Sequence, residues 1–136
     1  MNETLKISRQ VVNDMLSQAQ KSPNTEICGL IAGVENYGQS IYPIRNTANT
    51  PETRYQLDPS EQIDALRDIR NKQQSLVAIY HSHPSSGAQP SPTDINEANY
   101  PEAIYLIISL NTIGVLELSA FRISHNSYAA VELVLE

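Results

Sequence analysis

The chain has 136 residues, a length typical of one domain with its own core, so we expect a single domain over residues 1–136. Fifteen Asp and Glu against nine scattered Lys and Arg disfavour a nucleic-acid partner, because binding to phosphates requires clustered positive charge. The single cysteine excludes an internal disulfide, and no apolar run reaches the roughly 20 residues of a membrane span. We therefore expect a cytoplasmic protein without a membrane partner.

The N-terminal third predicts a helix followed by a β-hairpin. Apolar residues recur at helical spacing after Ser8, and Pro23 ends this pattern, so we predict a helix here. Residues 26–34 and 40–44 have the composition of strands, and the turn residues 36–38 lie between them. The two strands are therefore expected to pair as a hairpin.

The middle of the chain predicts a second helix and a buried strand. Residues 54–57 are interpreted as a short extended piece before a clear helix start at residues 58–61. There Asp58 is a capping residue, Pro59 occupies the first helical position, and an acid follows at the third. The apolar residues 76–80 then predict a strand that ends at two histidines.

The C-terminal third predicts a short helix and three strands. A loop rich in Ser, Gly and Pro precedes a helix over about residues 92–99. Residues 103–110, 115–123 and 129–135 have the pattern of strands. The element order α-β-β-α-β-α-β-β-β predicts an α/β fold in which a mixed sheet is flanked by helices.

Two histidines at the end of the buried strand are the first candidates for a functional site. His81 and His83 are one residue apart on an extended segment, so their imidazoles point to the same face. A carboxylate from the next element would complete the three protein ligands that are typical of a catalytic zinc site. The pair favours a metal site over two histidines that merely form hydrogen bonds at a strand end.

Asp94 has two interpretations that its spacing does not separate. Ser91, Pro92 and Asp94 form a good helix-capping box, which requires no metal. A helix start would also hold Asp94 rigidly, with its carboxylate facing the histidines. A metal-dependent hydrolase further needs a general base, and composition alone does not distinguish Glu26 from the other acids.

The chain resembles the JAMM/MPN+ zinc metalloproteases in the order, type and spacing of five residues. The resemblance rests on Glu26, His81 and His83 followed by Pro84, then Ser91 and Asp94 at the family's offset. It implies that His81, His83 and Asp94 bind one Zn²⁺. It also implies that Glu26 is the general acid/base and that Ser91 stabilises the oxyanion.

Further segments resemble the short prokaryotic branch of this family, namely Asn46, residues 51–59 and residues 100–107. The resemblance implies a three-layer sandwich like that of cytidine deaminases. It also implies hydrolysis of a peptide or isopeptide bond after the C-terminal tail of a small ubiquitin-like or sulfur-carrier protein. Residues 50–57 and 85–90 are expected to form walls of the substrate groove. The substrate, the leaving group and the oligomeric state stay open, and a homodimer is one alternative.

Two other functions compete with this interpretation. The first is a binding or scaffold module for ubiquitin-like partners, because the family includes relatives that lack metal and have lost the motif; here the motif is intact. The second is a nucleobase deaminase, which would need a pair of cysteines. Cys28 is the only cysteine and is interpreted as a small buried hydrophobe, so the deaminase interpretation fails.

Overall fold

The computed structural model describes residues 3–136, and its strands form one mixed sheet that closes on itself as a barrel. None of the helices within these residues is long and apolar enough to cross a membrane. The elements follow in this order: β1 (Thr4–Ile7), α1 (Arg9–Lys21), β2 (Cys28–Val34), β3 (Tyr37–Ile44), α2 (Pro59–Asn71), β4 (Ser75–His83), α3 (Pro92–Glu97), β5 (Ile104–Ser109), β6 (Glu117–Ser124) and β7 (Ser127–Leu135).

The sheet places β4 between two long partners. β4 pairs antiparallel with β2 and parallel with β5. β2 continues antiparallel to β3, while β6 and β7 extend the sheet antiparallel on the other side. β1 closes the barrel by pairing parallel with both β3 and β7. The end of β4 is therefore enclosed by strands on both sides.

The helices pack on opposite faces of this sheet. Met15 of α1 lies in the same buried cluster as Ile31 of β2, whereas Ile69 of α2 lies in the cluster of the neighbouring residue Leu30. Successive residues of a strand point to opposite faces, so α1 and α2 cover different sides. The predicted α/β fold, a mixed sheet flanked by helices, is confirmed, and so is the layered arrangement implied by the resemblance.

The predicted helix starts are confirmed by their caps. The Ser8 side chain accepts a hydrogen bond from the backbone N–H of Val11, and the Asp58 side chain accepts one from that of Glu61, both at 3.0 Å. These bonds satisfy N–H groups that the first turn of a helix leaves without partners.

Several predicted boundaries and elements differ from the structure. β3 begins at Tyr37 rather than at residue 40, β6 at Glu117 rather than at residue 115, and β7 at Ser127 rather than at residue 129. The extended piece at residues 54–57 is wrong as a strand, because only Leu57 pairs, in an isolated bridge with Asn46. β2 begins at Cys28, so Glu26 precedes the ladder. β1 has no counterpart in the predicted elements.

Candidate metal centre

His81 and His83 lie at the end of β4, inside the protein. In the strand register His81 lies beside Cys28 of β2 and Ile107 of β5, so the sheet continues on both sides of it. The two side chains are 0% and 2% exposed. Because they alternate with Ser82 along the strand, both imidazoles emerge on the same face, as the sequence predicts.

The imidazoles converge on one carboxylate oxygen. The two Nε2 atoms are 3.1 Å apart, and each lies 3.0 Å from Oδ2 of Asp94. His83 Nδ1 donates a hydrogen bond to the Gly87 carbonyl at 2.8 Å. With a cation bound, this bond would leave the lone pair of His83 Nε2 free to act as a ligand, as in protein sites where a second hydrogen bond orients a metal-binding histidine.

The start of α3 holds Asp94 in this position. Ser91 is the N-cap, and its Oγ accepts the Asp94 N–H at 3.0 Å, while Asp94 Oδ2 accepts the Ser91 N–H at 2.9 Å. The capping box is confirmed, and the oxygen that completes it is also the one that faces the histidines, so capping leaves metal binding by Asp94 open. The Ser91 hydroxyl proton takes part in none of the hydrogen bonds found within residues 3–136.

Glu26 joins the same cluster from the segment before β2. One ligand atom from each of Glu26, His81, His83 and Asp94 lies within 4.8 Å of the others. Glu26 is 4% exposed, and its Oε1 is buried without a hydrogen-bond partner among the described residues. A carboxylate oxygen in that state is costly, so its environment favours a proton or a cation beside it.

Burial and mutual charge shift the pKa values of the four groups in different directions. Burial raises the pKa of Glu26 to about 8; His83 lowers it and Asp94 raises it further. Burial would also raise the pKa of Asp94, but hydrogen bonds from His81 and His83 hold it far below its usual range. Burial lowers the pKa of His81. Burial also lowers that of His83, but its hydrogen bonds to Asp94 and the Gly87 carbonyl raise it overall.

The donor set fits a small divalent cation. Two imidazole nitrogens and one carboxylate oxygen are common ligands of catalytic Zn²⁺. Ligand atoms about 2.0–2.1 Å from a tetrahedral ion lie about 3.3 Å apart, close to the 3.0–3.1 Å between these three atoms. Glu26 supplies a fourth possible donor atom, within 4.8 Å of the other three.

Three residues near the centre were not identified from the sequence. The ring of Tyr55 stacks on that of His81, with centroids 4.4 Å apart and planes inclined by 22°. Ser82, between the histidines, accepts the Ile27 N–H on its Oγ at 2.9 Å. Asn46 donates to the carbonyl of Glu26. Asn46 and Tyr55 lie in segments that resemble the family, and Tyr55 lies in the predicted groove wall, but the sequence predicted no contact with the metal centre for any of the three.

Cys28 has the environment expected of a structural residue. It is fully buried, and its thiol donates to the Ile44 carbonyl. Burial, followed by the charges of Glu26 and Glu61, raises the pKa of the thiol to about 12. A neutral thiol at physiological pH is a poor metal ligand, which agrees with the interpretation from the sequence.

A cavity of about 600 Å³ is lined by none of the four residues of the cluster and is connected to them through Tyr55. Tyr55 belongs both to its wall and to the stack on His81. The side chains of Arg54 and Glu97 form an ion pair between two elements that line it. The predicted wall at residues 50–57 contributes residues 54–57, whereas none of residues 85–90 lines it. Its lining residues are Arg54, Tyr55, Gln56, Leu57, Pro59, Gln62, Ile79, Asn96, Glu97, Asn99, Tyr100 and Tyr105.

The chain is similar to known proteins over most of its length. A family model described as prokaryotic homologs of the JAB domain matches residues 8–124. The chain is 34% identical to the desampylase of Haloferax volcanii over 111 residues, which make up 77% of this chain and 80% of that protein. It is 35% identical to the CysO-cysteine peptidase of Mycobacterium tuberculosis over 121 residues, which make up 88% and 82% of the two chains.

A solved structure supports the same fold. The solution structure of a protein from Desulfitobacterium hafniense superposes with a TM-score of 0.87 at 29% sequence identity. The superposition covers 97% of this chain and 92% of that one. The architecture is thus shared over almost the whole of both chains.

Proposed function

Because the chain belongs to the family of prokaryotic JAB-domain homologues, we propose that it is a zinc-dependent peptidase. Its substrate is a peptide or isopeptide bond after the C-terminal tail of a small ubiquitin-like or sulfur-carrier protein. The observation that carries the proposal is the buried cluster of Glu26, His81, His83 and Asp94, whose ligand atoms lie within 4.8 Å. Relatives named desampylase and CysO-cysteine peptidase support this substrate class.

Each residue of the cluster has a part in the proposed reaction. His81, His83 and Asp94 would hold the zinc ion, which when bound would polarise the scissile carbonyl and make a water molecule easier to deprotonate. Glu26 accepts the proton of the attacking water and then delivers it to the departing amine. The Ser91 hydroxyl donates a hydrogen bond to the oxyanion that develops on the carbonyl.

The environment of Glu26 suits both halves of this proton transfer. A general acid/base works best when its pKa lies near the working pH. Burial raises the pKa of Glu26 to about 8, and a bound cation nearby would lower it again. Both protonation states are then accessible near neutral pH, so one carboxyl group can take up a proton and return it.

The cavity next to His81 is the proposed binding place for the substrate tail. Its volume is about 600 Å³, and Tyr55 of its wall stacks on His81. Both apolar and polar side chains line it, including Leu57 and Gln62. Such a mixed surface fits an extended polypeptide, which presents both side chains and backbone groups.

The direct test is hydrolysis of defined conjugates by the zinc-loaded protein. Sulfur-carrier proteins bearing a C-terminal cysteine and lysine-linked ubiquitin-like conjugates are incubated with it, and the products are read by mass spectrometry. We expect release of the free carrier tail, and loss of that activity after chelation. A protein that binds zinc yet cleaves none of these conjugates would contradict the peptidase proposal and favour a binding module.

Ser91→Ala is expected to lower kcat by about 10²- to 10³-fold, the usual effect of losing one oxyanion donor. It also removes the cap of α3, which costs about 1 kcal/mol of stability. Steady-state kinetics and thermal unfolding measure the two effects separately.

Two further variants separate the roles of Ser91. Ser91→Thr keeps a hydroxyl and a cap and should recover most of the turnover. Ser91→Gly retains a favourable helix start without the hydroxyl, so it should be more stable than Ser91→Ala. Its kcat should nevertheless be as low as that of Ser91→Ala. High turnover in Ser91→Gly would restrict Ser91 to capping.

A further inference from the structure

The backbone of Glu26 is held by a loop rather than by the sheet. Glu26 precedes the first ladder residue of β2, Cys28. Its N–H donates to the Pro51 carbonyl at 2.7 Å, and its carbonyl accepts from Nδ2 of Asn46 at 2.9 Å. Both partners belong to residues 46–57, here called the 46–57 loop, which lies between β3 and α2. The position of Glu26 therefore depends on how that loop is fixed.

The Asn46 side chain fixes the loop with its full hydrogen-bonding capacity. Nδ2 donates to the carbonyls of Glu26 and Arg54 at 2.9 and 3.0 Å. Oδ1 accepts the N–H groups of Ala48 and Gln56, both at 3.0 Å. An amide has two donors and two acceptor lone pairs, so all four are used, and the partners define which atom is the nitrogen.

These bonds connect the Glu26 backbone with the segment that carries Tyr55. Arg54 and Gln56 flank Tyr55, whose ring stacks on His81. The same amide thus holds the Glu26 backbone and the two residues on either side of Tyr55. Displacement of Asn46 would move the carboxylate and the stacked ring together relative to the histidines.

We propose that Asn46 is a positioning residue, which holds Glu26 at its working distance from the group formed by His81, His83 and Asp94. This inference rests on the proposed function, because it requires Glu26 to transfer protons. Asn46 lies outside the metal-binding cluster, so its loss affects the chemical step more than zinc binding. Small displacements of a catalytic group are known to lower rates by about 10²-fold.

Asn46→Asp is the sharpest test. Asp keeps the acceptor for Ala48 and Gln56 but has no N–H to donate to Glu26 and Arg54. We expect kcat, expressed per zinc-loaded folded molecule, to fall by about 10- to 100-fold, while KM changes less than about threefold and one zinc per chain is retained. The Glu26 N–H donates to the Pro51 carbonyl of the same loop, so it should exchange faster when the loop is loosened, whereas the N–H groups of Ala48 and Gln56 stay protected. Asn46→Ala, which also lacks the acceptor, should lose protection at all three amides.

The matched control is Asn49→Asp, an exposed asparagine of the same loop whose side chain makes none of the hydrogen bonds found within residues 3–136. It carries the same charge change and should keep the kcat, the KM and the amide hydrogen exchange of the wild type. An unchanged kcat in Asn46→Asp and Asn46→Ala would overturn the positioning role, as would equal losses in Asn46→Asp and Asn49→Asp. A zinc content of Asn46→Asp that falls in proportion to its activity would also overturn it. A wild-type protein that cleaves none of the conjugates fails at the proposed function itself, which is a different result.

Discussion

Replacing Glu26 with Gln is expected to lower kcat by about 10³-fold, within the range attributed to general acid–base catalysis, while one zinc ion per chain stays bound. Gln has the size of Glu but cannot take up the proton of the attacking water. The three atoms proposed to bind the metal belong to His81, His83 and Asp94, so the ion keeps its ligands. Elemental analysis gives the zinc content, and mass spectrometry of the carrier gives turnover.

The same substitution should stabilise the metal-free protein. The pKa of Glu26 is raised from 4.5 to about 8 in the folded state. Between these values the folded protein binds a proton that the unfolded chain has released, so the free energy of unfolding falls as the pH rises. Gln does not ionise, so its contribution does not change with pH. With chelator present, the free energy of unfolding of Glu26→Gln should exceed that of the wild type by a few kcal/mol at about pH 8 and hardly at all at about pH 4. Denaturant unfolding at the two pH values measures this difference.

Glu132→Gln is the control for both measurements. Glu132 is an exposed acid on β7, which is separated from β4 by β5 and β6. Its substitution should change neither turnover nor the pH dependence of stability. Full activity in Glu26→Gln would remove Glu26 from the mechanism. A variant that lost activity without gaining stability at high pH would contradict the buried, unpartnered carboxylate.

Local signals in the sequence predicted most of the elements. The caps at Ser8 and Asp58 and the apolar run before His81 are patterns of neighbouring residues, and the structure has a helix or strand at each. β1 differs because its four residues are too few to show a strand pattern. It forms only by pairing with β3 and β7, which come from distant parts of the chain. The closure of the barrel was therefore not predictable from local spacing.

The candidate site divides in the same way. The His81 and His83 pair and the start of α3 are local features, and they are enough to suggest a metal site. The contact between Asn46 and Glu26 spans 20 residues, and the stack of Tyr55 on His81 depends on the path of an irregular loop. Asp94 shows a further limit, because spacing presents capping and metal binding as alternatives, whereas one oxygen atom both accepts the Ser91 N–H and lies 3.0 Å from His81.

Asp94→Asn is expected to abolish turnover by removing the metal. The amide has the shape of the carboxylate, and its oxygen can still accept the Ser91 N–H that Asp94 Oδ2 accepts at 2.9 Å. It lacks the negative charge that makes carboxylate a zinc ligand. Zinc affinity should therefore fall by more than the roughly 10- to 100-fold that follows loss of a group that orients a ligand. Titration with zinc in competition with a chelator measures the change.

Without metal, Asp94→Asn should lower the free energy of unfolding, whereas Glu26→Gln should raise it. Hydrogen bonds from His81 and His83 hold the pKa of Asp94 below its unfolded value, so its ionised form stabilises the fold above about pH 4 and this contribution is lost as the pH falls. At neutral pH, metal-free Asp94→Asn should be less stable than the wild type.

A bound ion adds about 4 kcal/mol when its concentration is 1,000 times its Kd. Zinc should therefore raise the Tm of Glu26→Gln but not that of Asp94→Asn.

The control for this substitution is Asp64→Asn, the same chemical change at an exposed residue of α2 whose salt bridge is to Arg67 at 3.6 Å. It should retain zinc, turnover and the zinc-dependent rise in Tm. Asp94→Ala adds a second comparison, because it also loses the acceptor for the Ser91 N–H and should destabilise α3 further.

If Asp94→Asn bound zinc as tightly as the wild type, Asp94 would be a helix cap alone. His81 and His83 would then need a different third ligand, for which Glu26 is the nearest carboxylate in the cluster.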